Sequence, residues 1–198
     1  MQCDYAYVFI NVKMPLLSKH KKFPNLLRQL NIISFCFIIF FSIFLGVNQA
    51  WKLQTPDVIK NQWIALLITA TLFLIILILS LKKKASHGYY YSLVFSQIVT
   101  YTAFISYIIY AQRGMASSAI ILYVIPILIA ALTRASWVVI TTSVLAGASY
   151  SLSAYKYFAD FPSEGYKAEL YGQMLFYFLI LILIGRLVHI ALVENNKY

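Results

Sequence analysis

An all-α membrane protein, built as a bundle of six transmembrane helices, is the fold class predicted by three features of the sequence. Hydrophobic residues make up 62% of the chain and charged residues only 11%, with a mean hydropathy of +0.78. The apolar residues fall into long uncharged runs, and the basic residues gather between those runs. Soluble domains are nearer half apolar and about one quarter charged, and a domain of this size cannot hide such an excess in one core. Lipid is therefore the expected solvent and the bilayer the expected partner. The chain divides into a basic N-terminal segment (1–29), a membrane domain (30–193) and a short tail (194–198).

A helix needs about 20 apolar residues to cross a hydrocarbon core of about 30 Å. Span one, 30–50, contains no charge and is rich in Phe from Phe35 to Phe44. Span two, 63–81, ends at Lys82, Lys83 and Lys84. Span three, 89–110, is more polar, with Ser96, Gln97, Thr100, Thr102 and Ser106. Span four, 118–133, is short and holds Pro126, a residue that membrane helices tolerate. Only Arg134, Ala135 and Ser136 separate it from span five, 137–158, so the two form an antiparallel hairpin. Span five is rich in Ser, Thr and Ala; span six, 170–193, has its apolar centre at Phe176 to Ile184.

Orientation follows from the Lys and Arg content of the connections. Lys13, Lys19, Lys21, Lys22, Arg28, Lys82, Lys83, Lys84, Arg134, Arg186 and Lys197 lie on one side of this topology. The other side has Lys52, Lys60, Arg113, Lys156 and Lys167, offset by Asp57, Asp160, Glu164 and Glu169. Both termini are thus expected in the cytoplasm, the chain being a multi-pass protein of the cytoplasmic (inner) membrane. Trp51 and Trp63 flank the first external connection, while Trp137 and Tyr89 to Tyr91 sit at cytoplasmic interfaces, where amphipathic rings are favoured. The net charge of +10 is read as this topology signal, and nucleic acid is not expected as a partner.

No cleavable leader is expected, since the first apolar run begins near Leu30 and is long enough to span. Met14 opens a more conventional basic leader and is an alternative start. Cys3 and Cys36 have neither disulfide nor metal spacing, and Cys36 is expected as a small apolar filler.

No Asp, Glu, Lys or Arg falls in the middle of any span, which weighs against a proton-coupled transporter or a paired-aspartate protease. His20, His87 and His189 are too dispersed for a zinc site, and Arg186 and His189 are placed to reach the inner headgroups. Gly114 and Gly165 are lone turn glycines; no phosphate loop or nucleophile motif occurs. Neither an enzymatic activity nor a cofactor is expected. The candidate ligand or packing positions are polar or small residues inside the spans. Ser143, Gly147 and Ser151 recur every four residues along one face of span five, a stripe that lets another helix approach closely, in span four or in a second protomer. Gln97 and Thr100 in span three either bond another helix or line a cavity, and a buried amide needs a partner. Tyr123 and Pro126 in span four complete the set.

From Leu122 to Tyr155 the chain runs Leu-Tyr-Val-Ile-Pro, an apolar stretch, Arg134, Trp137 and then a helix rich in small residues ending Tyr-Ser-Leu-Ser-Ala-Tyr. This half of the chain resembles the multi-pass membrane input region of bacterial sensor histidine kinases. The resemblance implies a sensor or signalling module, a stand-alone relative without kinase activity in these residues, since His189 is followed by Ile-Ala-Leu and lies in no phosphoacceptor box. A second reading is a small-molecule binding or transport subunit. Six helices in 198 residues look like the membrane subunits of energy-coupling-factor vitamin transporters, although span one lacks their Ala-x-x-x-Ala docking pattern. A structural protein of the envelope is a third reading. The expected partners are lipid, a second copy, or a signalling or transport protein. The abundance of Ile, Lys, Phe and Tyr fits an AT-rich bacterial genome.

Overall fold

The computed structural model describes residues 23–81, 87–112, 117–133, 135–162 and 167–194. The basic positions Lys13 to Lys22, Lys82 to Lys84 and Arg134, together with Cys3, Met14, Gly114, Gly165 and Lys197, lie outside the described residues.

All regular structure among the described residues is helical: α1 (Phe23–Ala50), α2 (Pro56–Ser80), α3 (His87–Ala111), a 3-10 segment (Ser118–Tyr123), α4 (Val124–Leu132), α5 (Ser136–Asp160) and α6 (Lys167–Glu194). Five of these helices are long and apolar enough to cross a membrane, and Ser118–Leu132 is a shorter apolar one. Each long helix overshoots its hydropathic core. The largest differences are at the starts of α1 and α2, which begin at Phe23 and Pro56, well before Leu30 and Trp63. The start of α2 is a chemical signal: Thr55 is extended, Pro56 occupies the first turn with a φ suited to a helix, and Asp57 follows near the positive end of the helix dipole. Trp63 consequently lies within α2, half-buried, while Trp51 stays in the connection, exposed.

Pro126 explains the 3-10 segment. It has no N–H for the carbonyl of Leu122, and its ring crowds that carbonyl. The chain before it winds more tightly, and regular α-helix begins at Val124. Tighter winding also lengthens the element. With about 2.0 Å per 3-10 residue and about 1.5 Å per α residue, Ser118–Leu132 extends about 25 Å.

Helix α3 is the hub, packed against α1, α2, α4 and α5; α6 lies on α5 and α4. The buried positions of α2 are Ile59, Gln62, Leu66, Thr69, Phe73 and Ile76, alternating three and four apart as one helical stripe requires. On α3, by contrast, burial extends around the helix, from Val94 and Ile98 to Ile108 and Ile109. Aromatic rings join the first three helices. Phe37 and Phe41 of α1 meet Phe104 edge-on at 5.9 and 5.0 Å, and Phe73 of α2 lies 4.8 Å from Tyr101, within the range of favourable ring pairs.

The outward faces are apolar: Ile39, Phe40 and Ile43 on α1, Ile64, Leu67 and Ile68 on α2, and Leu175, Phe176, Leu179 and Leu183 on α6 are all exposed. Soluble monomers do not expose continuous patches of this kind. These are the features of a multi-pass membrane protein. Cys36, expected as a small apolar filler, points outward among them.

Side-chain bonds identify which helix ends lie together. Asn31 Nδ2 donates to Ser80 Oγ at 3.2 Å, and the Tyr89 hydroxyl donates to the Leu79 carbonyl at 3.0 Å. At the other end, the Tyr110 hydroxyl donates to Asp160 Oδ2 at 2.8 Å, and Lys156 Nζ bonds Asp160 Oδ1 at 2.9 Å. Helices α3 and α5 therefore run parallel, with α4 antiparallel between them. His189, near the end of α6, pairs with Ser136 at the start of α5.

Candidate functional site

Of the seven polar or small positions singled out in the sequence, five lie at three separate interfaces, and Thr100 and Ser151 bond within their own helices. The first joins α1 and α3. Gln97 is fully buried, and its Nε2 donates to the Leu30 carbonyl at 3.3 Å and to Ser34 Oγ. The Tyr101 hydroxyl donates to the same Ser34 Oγ at 3.0 Å, and Ser34 donates to Leu30 O at 3.0 Å. Tyr101 lies one turn beyond Gln97, so both reach the Ser34 turn of α1 from a single face of α3. Gln97 Oε1 is buried without a hydrogen-bond partner. An unpaired amide oxygen in an apolar interior is costly. Thr100 does not join the cluster: its hydroxyl folds back onto Ser96 O at 2.8 Å in its own helix.

The second interface joins α3 to the 3-10 segment. Tyr123 is fully buried and its hydroxyl lies 2.8 Å from Ser106 Oγ. Pro126, one turn on, is buried and shapes the backbone as described above.

The third joins α5 to α6. Ser143 and Gly147 are both buried, and they face α6: a Cβ added at Gly185 would collide with Ser143 Oγ and lie 2.8 Å from Ser143 Cβ, and one added at Gly147 would meet the Phe178 ring. The stripe therefore serves span six, where span four or a second protomer was the expected occupant. Ser151, only half-buried, donates to Gly147 O at 3.0 Å within α5.

Three features lay beyond the sequence reading. Ser34 carries no signal, because membrane serines usually bond their own helix as this one also does. Gln62 was assigned to a connection; it is fully buried on α2 with both amide atoms lacking partners, and the Thr55–Pro56 start signal would have placed it in the helix. Gly185 stood in an apolar run with no companion at stripe spacing.

At the opposite end of α1 from Asn31, a groove of about 750 Å³ opens between the α1–α2 connection and the first turns of α2. It lies apart from all seven positions. Among the described residues no three His, Cys, Asp or Glu side chains come together as a metal site. Comparison with protein-family models, curated proteins and solved structures finds no match to this chain.

Proposed function

We propose that the chain is a six-span module of the bacterial cytoplasmic membrane, with both termini cytoplasmic, that transmits a signal through displacement of α6. The observation that carries this reading is how differently α3 and α6 are held. Helix α3 is tied to its neighbours by Gln97, Tyr101, Ser106 and Tyr110. Helix α6 rests on close glycine contacts, and its one side-chain hydrogen bond to another helix, among the described residues, is at His189 near its end. Helix shifts of about 1–2 Å are a step that interface switches use, and α6 has fewer side-chain hydrogen bonds to break in such a step than α3 has. A buried and bonded α3 supplies the fixed frame against which such a step is read.

The six-span topology has its own support. An element of about 25 Å falls short of a hydrocarbon core of about 30 Å, a mismatch that costs only fractions of a kcal/mol per ångström. Asn31, Ser80 and Tyr89 cluster at one end of the bundle, Tyr110 and Asp160 at the other, and the basic connections favour the first end as cytoplasmic.

The test is a pull-down of the tagged chain from its native membrane in mild detergent, repeated with Gly185→Leu, which forces α6 off α5. A histidine kinase or response regulator is expected with the native chain and in reduced yield with the variant. Paired ATPases in either sample contradict the proposal and favour a transport subunit. That second reading rests on Gln97 Oε1, an acceptor free for a ligand, and Gln97→Leu leaving the binding of an identified ligand unchanged removes it.

A further inference from the structure

The groove beside α2 has a chemical gradient along its length. Its upper rim holds Lys52 and Lys60, and its lower wall is Trp63, Ile64 and Leu67. Helix α2 is 25 residues long, about 37 Å, so its first turns project beyond a hydrocarbon core of about 30 Å. Pro56 to Lys60 then lie at headgroup level, and Ile64 and Leu67 lie in the acyl region. No acidic residue lines the groove; Asp57, in the first turn of α2, is outside it.

Two details of the rim separate it from an ordinary polar turn. Lys52 has a φ of 52°, the left-handed conformation that glycine adopts freely. The helix end is closed by Leu53 N–H to Asn48 O at 3.0 Å and Lys52 N–H to Gln49 O at 3.2 Å, a motif in which glycine normally holds the position of Lys52. A cation therefore stands where the backbone favours glycine. Beside it, Gln54 Oε1 is buried with no hydrogen-bond partner and lines the same groove.

We infer that this groove is a binding site for an anionic phospholipid with a hydroxylated headgroup. Lys52 and Lys60 neutralise the phosphate, an acyl chain lies along Trp63, Ile64 and Leu67, and a turn of the Gln54 side chain brings its unpaired Oε1 to a headgroup hydroxyl. The site is independent of the signalling reading, because it involves neither α6 nor Gln97.

The experiment uses Trp63 as the reporter in the full chain carrying Trp51→Phe and Trp137→Phe, reconstituted in phosphatidylcholine vesicles. Brominated phosphatidylglycerol or brominated phosphatidylcholine is added at equal mole fraction, and the quenching of Trp63 is compared. Each lysine near an anionic lipid contributes several-fold, so a preference on the order of ten-fold for phosphatidylglycerol is expected. Lys52→Gln with Lys60→Gln should abolish it, while Lys156→Gln, which removes charge elsewhere, should leave it intact. Equal quenching by the two lipids, or a preference that survives the double substitution, overturns the site. Relief of quenching by millimolar inorganic phosphate overturns the lipid assignment in favour of a free anion.

Discussion

Replacing Gly185 with alanine tests the close contact of α6 with α5 at Ser143. The new Cβ would lie 2.8 Å from Ser143 Cβ and overlap Ser143 Oγ, which is itself bonded to Val139 O at 2.8 Å. Carbon atoms pack best at about 3.5–4.0 Å. Rotating the hydroxyl does not move the Cβ, so α5 and α6 must separate by about 1 Å. Overpacking of this kind costs about 1–3 kcal/mol, and alanine returns about 1 kcal/mol of helix propensity. The expected net loss is about 1 kcal/mol. With Ser143→Gly both obstructing atoms are gone, and the same change at Gly185 should stabilise by about 0.5–1 kcal/mol. The cycle thus predicts a coupling of about 2 kcal/mol, as expected of residues in direct contact. The assay is reversible unfolding by dodecyl sulfate in mixed micelles, followed by circular dichroism. Gly172→Ala on the same helix is the control, because nothing lies within 4 Å of its added Cβ. If Gly185→Ala stabilises as much as Gly172→Ala does, or acts equally in both backgrounds, the close approach is refuted.

The remaining predictions use the same unfolding assay or simple labelling. Gln97→Leu loses two interhelical bonds, about 0.6 kcal/mol each in a membrane interior, and removes a buried unpaired oxygen, a gain of about 1–3 kcal/mol; it should be neutral or stabilising, and a loss above about 2 kcal/mol would show that Oε1 has a partner. Tyr101→Phe only loses a bond and should cost about 0.5–1 kcal/mol. Lys52→Gly relieves a left-handed residue at the cost of a looser unfolded chain, a net gain of about 0.5–1 kcal/mol, while weakening the preference for phosphatidylglycerol; unchanged stability would mean that the turn is not strained. With Cys3→Ser in place, Cys36 should resist a charged maleimide in intact membranes and react after solubilisation, and full reaction in the bilayer would place that face of α1 in water.

Hydropathy alone located α3, α5 and α6 to within a turn or so, and α1 apart from its first two turns before Leu30, because an uncharged run of this length has no water-soluble alternative. The start of α2 was missed for a physical reason. Asp57, Lys60, Asn61 and Gln62 make its first turns polar, and hydropathy cannot separate a helix that protrudes from the membrane from a loop. The Thr55–Pro56 start signal carries that information. Partner choice was not legible either. A stripe such as Ser143 and Gly147 states that some helix comes close, and only the fold assigns Gly185 and Phe178 as what it meets. The Ser34–Gln97–Tyr101 cluster was half legible: Gln97 stood out as an amide in an apolar run, whereas Ser34 and Tyr101 are ordinary residues until two helices bring them together.

The topology is the claim on which the rest depends, and it turns on whether Ser118–Leu132 crosses the membrane. Reporter fusions that are active on only one side, placed at each terminus of the chain, decide it. Both termini reporting the cytoplasm is the expected result. Termini on opposite sides would mean an odd number of crossings, with the short helix failing to span, and would contradict the six-span account.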